Sequence, residues 1–261
     1  MLCGLQSTRK INRKRNMQIE ICTNSFRSAK IAAASHANRV ELCQSLEVGG
    51  ITPSAGDIRL TVALKESFDF EVHVLIRARG GDFCFNPEEY EVMRQDILFC
   101  KDNGVDGVVI GGLTTDGNID IAGMKKLMDA AGEMTVTFHR AFDYVNDPFL
   151  ALEQLIDLGF ARILTSGQKN TAIEGKEMLK KLLELAVGRI TIMPGGGVNE
   201  DNIKELVSYT GAKDIHFTAK EMIKSPFQKS SEAAMSTAGI PEYDYWLTNG
   251  MKIEEIRNRI K

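Results

Sequence analysis

The chain has 261 residues, 43% of them hydrophobic and 26% charged, with 23 glycines and 6 prolines, a composition that buries a sizeable core and excludes disorder throughout. A formal charge of −3 gives no general attraction to phosphate backbones, so nucleic acid is not an expected partner. No stretch approaches the roughly 20 apolar residues of a membrane helix or forms the apolar centre of a secretory signal, so neither membrane insertion nor export is expected.

The first basic cluster, Arg9, Lys10, Arg13, Lys14 and Arg15, precedes Met17 without an acid among its neighbours. Residues 1–16 read as a basic disordered leader, and residues 17–261 as a single domain. Eight short runs rich in β-branched residues then recur, at 18–22, 39–43, 71–77, 107–111, 135–140, 162–166, 190–193 and 214–218. Between them lie segments of helical period, such as 88–101, 124–131, 149–158 and 178–187. Asn86-Pro87 and Asp147-Pro148 each pair a capping side chain with a proline at the first helical position. Gly104, Gly132, Gly159 and Gly211 stand where helices should stop. Residues 220–250, with Pro226, Pro241 and Trp246, read as an irregular connection before a closing helix at 253–260.

Strands that alternate with helices run parallel with right-handed crossovers, and eight of them can close on themselves. The sequence therefore predicts an α/β fold, a single-domain (β/α)8 TIM barrel. The competing open doubly wound sheet lacks its signature, since no G-x-G-x-x-G follows the first strand.

Alternation puts Glu20 and Cys22 on one face of the first strand and Glu41 and Cys43 on one face of the second, opposite Ile19, Ile21, Val40 and Leu42. The apolar set belongs under the helices, which sends both E-x-C pairs into the lumen. The same parity points His73, Leu75, Arg77, His139 and His216 inward. Buried carboxylates without partners cost several kcal/mol, so Glu20 and Glu41 require cations, with Arg77 the first candidate and His73 and His139 further donors. A network that fills the barrel without doing chemistry is the alternative.

Active groups of such barrels sit at the C-terminal strand ends. Those ends carry Arg77 and Arg79, then His139 and Arg140, then Ser166, then Gly195, Gly196 and Gly197. Arginines with closely approaching glycine amides, and a helix starting near Asn199, suggest an anion pocket formed by Arg79, Arg140, Ser166 and Gly195 to Gly197. The glycine triplet equally suits a tight turn. Cys22 and Cys43, on strands spaced by roughly 4.8 Å, can reach one soft ion. Two thiolates suit Cu(I), whereas zinc asks for about four ligands; the plainer reading is a pair of small buried hydrophobes. Five scattered cysteines imply free thiols and a reducing cytoplasm; Cys84 and Cys100 are assigned to packing.

Several separated motifs carry a family resemblance: RVELC at 39–43, GGITPS at 49–54, RARGGDF at 77–83, DGNID at 116–120, TFHRAFD at 137–143, LTSGQ at 164–168 and PGGGV at 194–198. From about residue 17 to 219 the chain resembles the CutC family of copper homeostasis proteins. That resemblance implies a TIM barrel, a cytoplasmic location, homo-oligomers and a role in handling copper. It also implies ligands at cysteines of the first two strands, matching Cys22 and Cys43. Ala78 and Phe85 depart from the common proline and tyrosine, away from those cysteines.

Two functions are carried forward. The first is a cytosolic copper homeostasis protein that binds Cu(I) through Cys22 and Cys43 without turnover. The second is an enzyme of lyase or isomerase type acting on a small phosphorylated or carboxylated metabolite. There Glu20 or Glu41 is the base, His139 the general acid, and Arg77 with Arg140 the charge stabilisers. No lysine ends a predicted strand, so Schiff-base chemistry lacks its nucleophile.

Overall fold

In the computed structural model of the protein, residues 17–228 and 242–260 are described; the 1–16 leader lies outside them. The chain runs β1 (Gln18–Thr23), α1 (Phe26–Ala34), β2 (Arg39–Leu42), α2 (Ala55–Ala63), β3 (Glu71–Leu75), α3 (Pro87–Asp102), β4 (Gly107–Ile110) and α4 (Ile121–Ala131). It continues β5 (Thr135–Phe138), α5 (Pro148–Asp157), β6 (Arg162–Thr165), α6 (Lys176–Ala186), β7 (Thr191–Pro194), α7 (Ile203–Thr210) and β8 (Asp214–Phe217). These eight strands lie in the order β7-β6-β5-β4-β3-β2-β1-β8, and a parallel bridge from Gly195 to His216 brings β7 against β8. The single-domain TIM barrel is the fold.

Local chemistry sets the element ends. Asn86 and Glu89 form a reciprocal capping box ahead of α3, and the Asp147 carboxylate accepts from the Phe149 and Leu150 amides at the start of α5. Gly104 and Gly211, both at φ +74°, turn the chain out of α3 and α7 in a conformation that side chains resist. Tyr90, Met93, Ile97 and Cys100 form the buried stripe of α3, spaced at three, four and three residues as one helical face demands.

The strands have two apolarities. Ile19, Ile21, Val40, Leu42, Val72, Val74, Val108, Ile110, Ile215 and Phe217 belong to the main core, between sheet and helices. The opposite parity carries Glu20, Arg39, Glu41, His73 and His216, all buried, and His139 is buried just past the end of β5. These polar side chains share the interior with a small apolar cluster of Cys22, Cys43, Leu75 and Val109, so the buried charges need partners there.

The 220–250 segment departs from the expected irregular connection. It contributes a two-stranded antiparallel sheet, β9 (Lys220–Ile223) and β10 (Tyr245–Thr248), before α8 (Gly250–Arg259); residues 229–241 lie outside the described residues. Asn24 Nδ2 donates to the Trp246 carbonyl at 3.0 Å, tying β10 to the end of β1. The helix expected near Asn199 begins at Ile203, because the Asn199 side chain first accepts from Asp201 and Asn202 in a turn.

Candidate metal and anion site in the barrel mouth

Register builds the lower layer of the site. Glu20 stands opposite Arg39 of β2 and His216 of β8, so three inward side chains share one level. Arg39 Nε donates to Glu20 Oε2, and His216 Nδ1 lies 2.6 Å from Glu20 Oε1. Arg39 also reaches Glu71 at 3.4 Å and Asp214 at 3.6 Å. Burial alone raises a carboxyl pKa, but Arg39 and His216 outweigh it and hold Glu20 well below the usual range. Conversely, His216 is lifted well above an ordinary imidazole against its burial, through Cys22, Glu20 and Glu41.

One level up, Cys22 stands opposite Glu41, and Cys43 follows one pleat further along the chain. The two sulfurs are 3.7 Å apart. The Cys43 thiol donates to the Thr23 carbonyl at 3.5 Å, and His216 Nε2 lies 3.6 Å from Glu41 Oε2. One donor atom each of Cys22, Glu41 and His216 falls within 4.8 Å of the others. The bond with Cys43, followed by burial, pushes the Cys22 thiol up, and burial raises the Glu41 carboxyl. Two thiols, an imidazole and a carboxyl therefore form a compact set of metal donors, the sulfurs soft, the imidazole borderline and the carboxylate hard, that must release protons to bind an ion.

Above them is an inner cavity of about 120 Å³, lined by Cys22, Glu41, Cys43, His139 and His216 among others. Gly49, Arg77, Phe83 and Arg140 border both this cavity and an outer one of about 580 Å³. They form the neck between the two.

Arg77 does not supply the counter-charge expected for Glu20 and Glu41; Arg39 and His216 do. Its Nη1 donates to the Val48 and Gly50 carbonyls at 2.9 and 3.0 Å, and Nη2 to that of Gly81 at 2.5 Å. The reason is position: β3 ends at Leu75, so Arg77 belongs to the mouth loops, above the carboxylates. Its guanidinium lies over Phe83, 4.7 Å from the ring centre. His139 likewise follows the end of β5. Its Nδ1 accepts from the Ala141 amide at 3.1 Å, capping a short turn at Arg140–Tyr144. Burial and then Arg77 hold its pKa down to about 3, which leaves a neutral ring.

Arg140 is brought to the neck by Asp143, which takes its Nε at 2.7 Å, and by Ser166 Oγ, which accepts from Nη2 at 2.8 Å. Gly196 packs against the same guanidinium, while Gly195 lies against Leu164 and His216 and Gly197 against Thr171. Of the residues expected to form an anion pocket, only Arg140 borders the two cavities; Ser166, Gly195, Gly196 and Gly197 do not. Arg79 is drawn away from them, to Glu89 at 2.6 Å and Asp82 at 3.0 Å. Of the two carboxylates, Glu41 faces the inner cavity and Glu20 is sealed beneath it.

The model of the CutC family matches residues 17–221. The chain belongs to the CutC family. It is 46% identical over 243 residues to a CutC family protein of Bacteroides fragilis, covering 92% of this chain and 96% of that one. Identity to the human copper homeostasis protein cutC homolog is 42% over 240 residues, covering 91% of this chain and 87% of the human one. The CutC crystal structure from Streptococcus agalactiae superposes with a TM-score of 0.74 at 36% identity, over 77% of this chain and 97% of that one.

In this CutC chain the residue that sequence reasoning missed is Arg39. Its signal is present, since Arg39, Glu41 and Cys43 share parity in RVELC. His216 was legible as inward but not as the link between Glu20 and the Cys22–Glu41 level.

Proposed function

We propose that this chain is a cytoplasmic copper homeostasis protein that holds Cu(I) as cargo between Cys22 and Cys43. The observation that carries the reading is the 3.7 Å separation of the two sulfurs at the C-terminal ends of adjacent parallel strands. At metal–thiolate bonds of about 2.3 Å both sulfurs reach one ion at a bent angle, leaving a side open to a third donor. His216 and Glu41 stand beside Cys22 for that place. Thiolates select soft ions over hard ones, and each must lose its proton on loading. The human relative's name as a copper homeostasis protein points the same way.

Free thiols at Cys22, Cys43, Cys84 and Cys100 support a reducing compartment. No helix among the described residues is long and apolar enough to cross a membrane. Assembly into homo-oligomers joins the proposal from the family likeness.

Anaerobic Cu(I) titration of the wild type, Cys22→Ser and Cys43→Ser tests the reading. Loss of either sulfur is expected to weaken binding by at least the roughly 10–100-fold typical of disturbing even an outer-shell partner. Unchanged stoichiometry and affinity in both variants rejects it.

A further inference from the structure

We propose that the neck of the barrel mouth is a binding site for a small oxyanion, a carboxylate or phosphate carried on a compact metabolite, recognised by Arg77, Arg140 and the Nε2–H of His139. Three residues that border the same inner cavity each keep one nitrogen without a hydrogen-bond partner among the described residues, Arg77 Nε, Arg140 Nη1 and His139 Nε2, and each for a different reason.

Arg77 is 4% exposed, yet among the described residues it forms no ion pair. Its guanidinium is satisfied by three loop carbonyls, and its buried Nε has no partner. Carbonyl dipoles do not neutralise a buried cation, and an uncompensated one is costly. Burial and the like charge of Arg79 accordingly lower its pKa. An anion in the neck supplies the missing counter-charge.

Arg140 is pre-set. Asp143 accepts from Arg140 Nε, Thr165 Oγ1, the Ser166 amide and the Gln168 amide, and Ser166 Oγ takes Nη2. Nη1 has no hydrogen-bond partner among the described residues. A Cβ at Gly196 would stand 3.1 Å from that atom, so glycine there leaves room for the guanidinium.

His139 adds a neutral donor. Because Nδ1 accepts a backbone N–H, the ring proton belongs on Nε2, which is buried without a partner. Such groups are costly unless something accepts from them.

The outer cavity of about 580 Å³ falls within the roughly 300–1,000 Å³ of small-molecule sites. Phe83, Leu113 and Tyr144 on its wall offer apolar surface to the carbon body of a ligand.

Calorimetric titration of copper-free protein with inorganic phosphate, glycerol 3-phosphate and malate, against sodium chloride at matched ionic strength, tests the site independently of the copper reading. At least one of the three is expected to bind at one per chain, and phosphate against malate identifies the group preferred. Arg140→Gln, at a side chain 40% exposed, is expected to weaken that binding roughly ten- to a hundredfold, and Arg77→Met to do the same. Should Arg77→Met fold poorly, the ligand-induced shift of the ¹⁵N resonance of His139 Nε2 in the wild type takes its place. No binding beyond chloride by any probe, equal binding by Arg140→Gln, or an unmoved His139 resonance at saturation overturns the proposal.

Discussion

Replacing Arg39 by methionine keeps much of its aliphatic stem and removes the cation that the lower barrel layer is built around. Glu20 then retains His216 alone, while Asp214 and Glu71 lose a neighbour. With side chains only 3% and 1% exposed in the Arg39–Glu20 pair, water relieves little of the loss. Breaking one side of a buried pair costs about 3–5 kcal/mol, whereas the contact with Glu71, whose side chain is 53% exposed, adds less than about 1 kcal/mol. In a chain of 261 residues this lowers Tm by on the order of 10 °C. Urea denaturation at pH 7 followed by circular dichroism, with a thermal scan alongside, measures it. The double variant Glu20→Gln/Arg39→Met is expected to lose less than the sum of the single losses, because neither charge is left alone. An Arg39→Met protein within about 1 kcal/mol of wild type, or strictly additive losses, would refute the assignment of Arg39 as the counter-ion of Glu20.

Acid should probe His139 through its depressed pKa. The unfolded imidazole titrates near 6.5 and the folded one near 3, so the unfolded state takes the proton first. The stability His139 contributes is complete above pH 6.5 and is lost as pH falls toward 3, at no more than about 1.4 kcal/mol per pH unit. Stability measured against pH should therefore fall less steeply in His139→Gln below about pH 6, and parallel curves for the two proteins would contradict it. Gly107→Ala places a Cβ 2.6 Å from the Thr135 carbonyl oxygen and 2.5 Å from His73 Cε1. Overpacking of this kind costs about 1–3 kcal/mol, and a wild-type melting curve would show that the strand spacing yields more than the geometry allows.

Parity alone sends Glu20, Cys22, Glu41, Cys43, His73 and His216 into the lumen, because the two-residue period of a strand is a local property of the backbone. Capping is local as well, so the starts of α3 and α5 are legible at Asn86 and Asp147. Strand ends are less so. The runs through Arg77 and Arg140 continue past β3 and β5, where tertiary hydrogen bonds take over: loop carbonyls hold Arg77, and the His139 ring caps the turn that carries Arg140. Arg79 looks like a site cation at a strand end, yet Glu89 of the α3 capping box claims it.

Sequence patterning thus determines which side chains enter the barrel, but not whom they meet there. Partner choice depends on the stagger between β1, β2 and β8, which follows from closing the whole ring. That stagger puts Arg39 and His216 level with Glu20, and Cys22 level with Glu41. Direction is read from neighbours along the chain; level is fixed only when distant strands pair.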